Sequence, residues 1–419
     1  MAFHRRYGSA LAAHPRLARG HLFILATNLF ADHTHDGKVS GMGLRRLDGL
    51  AAAFIALAVA ACVSAESWEA VRVLKDIEAR GGSSELKAMT PAPIRRTVSY
   101  RREDRVGVAD LYEPDQPIGA SLVLVPGFTP QGKNDPRLVD LAFSLSRARF
   151  LVLVPDLQGS REMRVRLEDA QNIADAAAYL AERETPIHRG DVGVIAISYA
   201  VGLAVLATMQ PQAKEKIQFL VGIGGYYDIT AVVTFITTGR YREPTETAWR
   251  TAHPDPAAKW IFLASNSDAL GAPSDRKTLA AIARRRLRTP AVPVDDLAAD
   301  LGPDGRLLFD LLMNTDVERV EGLLSRLPVG VRQHIEALSL RNRDLSHLAG
   351  RLILIHGRKD RLIPYTESLS LKAAVPNTEL FIVDGLSHID TADVGIIAQL
   401  QLVDAIQAIL SRRQNLQRR

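Results

Sequence analysis

Six short, unbroken apolar runs, at residues 122–125, 150–154, 192–197, 219–223, 352–355 and 380–383, constrain this chain more than any other feature. A strand that is apolar on both faces must be covered on both, which is the condition of parallel strands joined by helical crossovers. The stretches 136–147, 167–182, 200–209, 367–374 and 396–410 are amphipathic and long enough to be those crossovers. Ahead of the first run, 96–101 and 106–112 alternate in polarity about a charged turn and read as an antiparallel hairpin. A helix-like polar segment, 68–80, precedes it.

One gap breaks the βαβ rhythm. Between Asp228 and His347 the patterning is mostly helical and no good strand is visible, so 229–347 is expected to be an inserted helical cap. Prolines at 254, 256, 273, 290, 293, 303 and 328 would divide it into short helices. The core is then split into 66–228 and 348–419, and the fold class is α/β, a mostly parallel, doubly wound sheet with an N-terminal hairpin and a cap. A composition 47% apolar and 24% charged is that of an ordinary globular protein.

The sharpest chemical signal is Ala196-Ile197-Ser198-Tyr199-Ala200, a buried strand running into a serine and then a helix. It resembles the nucleophile elbow of the α/β-hydrolases, where the serine sits in a strained turn flanked two residues away by glycines; here both flanking positions are alanine. Downstream, His356-Gly357-Arg358-Lys359-Asp360 follows the fifth run and resembles the acid-bearing turn of the same family. His388 stands just past the last run. The order Ser, Asp, His is that of the family, and each residue falls at the carboxyl end of a parallel strand, where open α/β sheets bind ligands. Asp228, at the end of an earlier strand, is a rival acid.

The resemblance implies a serine hydrolase with Ser198, Asp360 and His388 as its triad. A neutral hydroxyl becomes nucleophilic when an imidazole takes its proton, and a carboxylate keeps that imidazole in line. The loop Val125-Pro126-Gly127-Phe128-Thr129 is similar to the family's oxyanion segment, with proline in place of histidine. Tyr199 N–H and Phe128 N–H are the expected donors to the oxyanion, Gly127 allowing close approach. His356 reads as a packed core-edge residue. No cofactor or metal is implied: there is no His-x-x-x-His or paired-carboxylate spacing, a single cysteine excludes a thiolate cluster, and Gly222, Gly224 and Gly225 form no phosphate fingerprint.

The N-terminal region, 1–65, reads as a targeting segment. From Met42, a basic start at Arg45 and Arg46 leads into an apolar run, 50–61, too short to span a membrane. Val59-Ala60-Ala61-Cys62 resembles the lipobox of bacterial lipoproteins, and Cys62 is the only cysteine. A lipidated Cys62 would anchor an exported chain to a membrane; cleavage after Val63-Ser64-Ala65, or a cytoplasmic chain, are the competing readings, which mass spectrometry of the native N-terminus separates. Residues 1–61 carry seven Lys/Arg against three Asp/Glu, which leaves about one of the +5 net charge for the body. So neutral a body has no basic face for nucleic acid, and the runs at Arg284–Arg286 and Arg412–Arg413 are expected to be solvated helix surface. The expected partner is a small ester or acyl substrate, acyl transfer being a variant of the same chemistry. The contrasting reading is a catalytically silent scaffold.

Overall fold

The computed structural model describes residues 65–183, 192–387 and 395–417, with side chains to residue 413. Strands β1 (Ile94–Arg102) and β2 (Arg105–Glu113) form the antiparallel hairpin, and β3 (Ala120–Val125), β4 (Phe150–Pro155), β5 (Val192–Ile197) and β6 (Ile217–Ile223) follow. After a long insertion come β9 (Leu352–Gly357) and β10 (Glu379–Val383), where β7 and β8 are two-residue pieces of the insertion, Arg240–Tyr241 and Arg250–Thr251. The eight-stranded sheet runs β1-β2-β4-β3-β5-β6-β9-β10, parallel from β4 onward. This is the α/β-hydrolase fold.

Strand β4 shows why the continuous apolar runs form such a sheet. Leu151 and Leu153 join the core on one face, while Phe150, Val152 and Val154 join the core on the other, because successive side chains point to opposite sides of a strand. The helices Glu168–Ala181 and Ala200–Ala207 cover the first face; Ala65–Ala79, Pro136–Arg147 and Ile396–Gln417 cover the second.

The insertion between β6 and β9 carries the helices Ile229–Thr238, Pro256–Asn266, Pro273–Arg288, Asp295–Ala299, Pro303–Met313, Val320–Ser325 and Val329–Leu338. Three of the prolines sit at the first helical position, where a missing N–H costs nothing. The small antiparallel pair of β7 and β8 departs from the expected strand-free cap; two residues per strand are too few to leave a period in the sequence. The last helix outruns its expected end at 410 because the tail to Gln417 is mostly good helix formers, Arg, Gln and Leu.

The Arg412–Arg413 run is also not solvated surface. Arg413 is buried, with both terminal nitrogens on Glu69 and one also on the Ala148 carbonyl. Two adjacent arginines on one helix point about 100° apart, so one can face inward while its neighbour lies near the rim, where Arg412 pairs with Glu379 at 2.6 Å.

Candidate active site

Strand β5 ends at Ile197 and the next helix begins at Ala200, leaving two residues to turn the chain. Ser198 takes up that turn with φ of +61°, a left-handed conformation costing a non-glycine residue on the order of 1–3 kcal/mol. The turn is held: Ser198 N–H donates to the Ile223 carbonyl at 2.7 Å, and Val201 N–H donates to the Ser198 carbonyl at 3.0 Å. Ala196 and Ala200 are fully buried and fit where the family pattern has glycine. The close approach that needs glycine lies further on, for a methyl at Gly202 would come within 2.2 Å of the Tyr226 ring and one at Gly225 within 2.4 Å of Val201.

The loop after β3 lies against this turn. A Cβ added to Gly127 would stand 3.5 Å from Ser198 Cβ, and the Phe128 ring stacks on Tyr199 with centroids 3.7 Å apart. Ser160, fully buried, grips the loop on both sides of Phe128. Its hydroxyl donates to the Gly127 carbonyl at 2.6 Å, and its carbonyl accepts from Thr129 N–H at 3.1 Å. Because a trans peptide holds its C=O and N–H on opposite sides, a Gly127 carbonyl fixed toward Ser160 turns Phe128 N–H away from it. Neither Phe128 N–H nor Tyr199 N–H has a hydrogen-bond partner among the described residues.

Asp360, 5% exposed, sits in the turn after β9. Its Oδ1 accepts from Leu362 N–H at 2.8 Å and Ile363 N–H at 3.1 Å. Its Oδ2 is 3.4 Å from His356 Nε2. His356 is fully buried, with Nε2 at 3.0 Å from the Ile363 carbonyl and Nδ1 at 2.7 Å from Ser368 Oγ. A carbonyl only accepts, so Nε2 carries the proton and the ring braces the Asp360 turn. Asp228 is engaged elsewhere: one oxygen caps the helix Ile229–Thr238 through Thr230 N–H at 2.9 Å, and the other pairs with Arg341 at 3.0 Å.

His388 and Cys62 lie outside the described residues. The chain leading to His388 is placed, however. A methyl at Gly357 would meet the Ser387 carbonyl at 2.2 Å and that of Leu386 at 2.4 Å, so the segment before 388 lies directly on the strand end that carries the Asp360 turn.

Ser198, Phe128 and Tyr199 open on a cavity of about 100 Å³ lined largely by the insertion, through residues such as Val232, Phe262 and Ile335, and, from the Asp360 turn, by Leu362 and Ile363. No histidine among the described residues lines it. Those residues also include no group of His, Cys, Asp and Glu placed to hold a metal ion and no helix long and apolar enough to cross a membrane.

One carboxylate in this region escaped the sequence reading. Glu367, 2% exposed, accepts from Tyr227 N–H at 2.9 Å and Asp228 N–H at 2.7 Å. Burial pushes its carboxyl up to about 7, against the pull of those two N–H groups. An acid in the first turn of a helix is commonplace, so nothing in the sequence marked it.

No protein-family model matches the sequence, and no curated protein matches it. Among solved structures, the chain is similar to the alpha/beta hydrolase GrgF from Penicillium sp. sh18, at 14% identity over 78% of this chain and 98% of that one, with a TM-score of 0.43. It is similar to 2-hydroxy-6-oxo-6-phenylhexa-2,4-dienoate hydrolase from a Rhodococcus strain at 17% identity, over 77% and 99% of the two chains, with a TM-score of 0.40. Est1E from Butyrivibrio proteoclasticus is similar at 11% identity over 76% and 99%, also with a TM-score of 0.40.

Proposed function

We propose that this protein is a serine hydrolase that cleaves a carboxylic ester, or a related thioester or amide, through an acyl-enzyme on Ser198. The observation that carries the reading is the serine held at φ +61° at the end of a buried strand, beside an apolar cavity, with two unengaged backbone N–H groups next to it. Backbone strain of this kind persists where the surrounding structure enforces it, and it clusters at active sites.

In the proposed reaction, Ser198 Oγ attacks the substrate carbonyl carbon while His388 accepts its proton. The charge that develops on the carbonyl oxygen is met by Phe128 N–H and Tyr199 N–H; one such donor is typically worth about 3–4 kcal/mol. His388 then returns the proton to the leaving alkoxide, and water repeats the sequence on the acyl-enzyme. Asp360 is the acid that orients His388. In support, the residues before 388 lie on the Asp360 strand end, and Asp228 already has both oxygens committed. The apolar lining favours an acyl group over a charged or sugar-like one.

A fluorophosphonate probe tests the assignment, since it reacts with an activated serine and with little else in a protein. It should label the native chain and fail to label Ser198→Ala. A native protein that stays unlabelled returns the reading to a silent scaffold.

A further inference from the structure

Away from Ser198 lies a second and larger cavity, of about 280 Å³ against about 100 Å³, with no lining residue in common with the first. One side of it is the β1–β2 hairpin. Tyr100 and Gly107 are partners across the two strands, as are Arg102 and Arg105, and residues two apart on a strand share a face, so all four stand on the same side of the sheet. The Tyr100 ring lies over Gly107, where a methyl would come within 2.3 Å of it, and is fixed by stacking on Tyr179 with centroids 4.6 Å apart. Asp156 follows the end of β4, while Arg161 comes from the helix Gln158–Glu162 and Asp175 from the helix Glu168–Ala181.

Most of the charged lining is engaged. Asp175 accepts from Arg105 Nε at 2.7 Å and from its Nη2 at 3.1 Å, and Arg102 pairs with Glu182. Two groups are not engaged in this way. Tyr100 is 8% exposed, and its hydroxyl has no hydrogen-bond partner among the described residues. Unlike the unpartnered hydroxyls of Tyr112 and Tyr199, it is not sealed from water, so it is open to what enters the cavity. Arg161 is half-exposed, and its one ion pair sets Nε 3.3 Å from Asp156 Oδ1; its side chain makes no hydrogen bond among the described residues. Its stem lies against Gly132, where a methyl would meet Arg161 Cγ at 2.9 Å. A guanidinium only donates and a tyrosine hydroxyl can donate, so the ligand that completes both is an acceptor, and one with negative charge. An apolar cavity of about 150 Å³ takes up benzene, so there is room here for an aromatic ring together with an anionic group. We propose that this cavity is a second ligand site, for a small organic phosphate or carboxylate to which the Tyr100 hydroxyl and the Arg161 guanidinium donate.

The test is calorimetric titration with phenyl phosphate at low ionic strength, against a sodium chloride control of matched ionic strength. The native chain should bind it saturably. Tyr100→Phe, which keeps the ring and its stacking, should weaken binding about threefold to tenfold, and Arg161→Gln about tenfold or more. Asp156→Asn removes the carboxylate that competes for Arg161 and should tighten binding about twofold to fivefold, a gain that misfolding cannot imitate. The proposal is overturned if the native chain shows no saturable binding beyond the chloride control, if Tyr100→Phe and Arg161→Gln bind as the native chain does, or if Asp156→Asn binds more weakly. None of these readouts needs an active Ser198, so a native chain that binds phenyl phosphate as described yet resists the fluorophosphonate probe overturns the hydrolase reading alone.

Discussion

Ser160 is not among the residues lining the cavity beside Ser198, yet it holds the proposed oxyanion donor through hydrogen bonds on either side of Phe128. It is a positioning residue, and its effect should be on the transition state. Without its hydroxyl the Gly127 carbonyl is free to rotate, taking Phe128 N–H with it, so Ser160→Ala should lower kcat roughly 10- to 100-fold, less than outright loss of a donor, with KM little changed. Affinity for a boronate transition-state analogue should fall in step, and Ser160→Thr, which keeps the hydroxyl, should restore both. A KM effect alone, or unchanged boronate affinity, would reduce Ser160 to packing. The sequence could point to Ser198 and Asp360 because strand–serine–helix and Gly-x-x-Asp are local patterns. It could not point to Ser160, whose role arises from a chain segment 33 residues away.

Secondary elements were legible wherever burial is two-sided. All six apolar runs are strands, and the helix Pro136–Arg147 has the bounds its pattern gives, with Asp135 capping it through Arg137 N–H. What the pattern could not show is how the insertion is tied to the sheet. Its two stems meet where Leu340 N–H donates to the Tyr227 carbonyl at 2.9 Å and Arg341 pairs with Asp228, and Glu367 from the helix Thr366–Ala374 holds the same backbone from beneath. That clasp carries a pH dependence whose sign is fixed. A carboxyl at about 7 in the folded chain, raised from 4.5, binds more protons folded than unfolded between those values. Stability from this group is therefore complete below about pH 4.5, declines as pH rises and levels off above about 7. Glu367→Gln keeps an oxygen for both N–H groups and does not titrate, so its melting temperature should gain on that of the native chain from pH 5 to 7 and then run parallel. A constant offset across that range would show that Glu367 does not titrate there.

At the scale of the whole molecule, the helix Ala65–Ala79 is part of the folded body. Its Ala70, Val73 and Leu74 are buried in the core on the second face of the sheet, against the helix Ile396–Gln417, where Ser67 Oγ also donates to Gln407 at 3.2 Å. The fork between Arg413 and Glu69, at 2.8 and 2.6 Å, joins the first and last described helices across 344 residues of chain. A sequence reading sees only a polar helix at one end and a basic pair at the other; the pairing is a property of the closed fold. The two partners are unequally exposed, 9% for the Arg413 side chain and 32% for Glu69, which decides the energetics. Removing the carboxylate leaves a nearly buried guanidinium with the Ala148 carbonyl and its own helix as acceptors, so Glu69→Ala should cost about 1–3 kcal/mol, below the usual figure for a fully buried pair because water reaches one side. Arg413→Met, which removes the charge and keeps the apolar stem against Phe150, should offset part of that loss when combined with Glu69→Ala. Chemical denaturation of the single and double variants measures the coupling, and strictly additive losses would mean that the two ends are held by apolar packing alone.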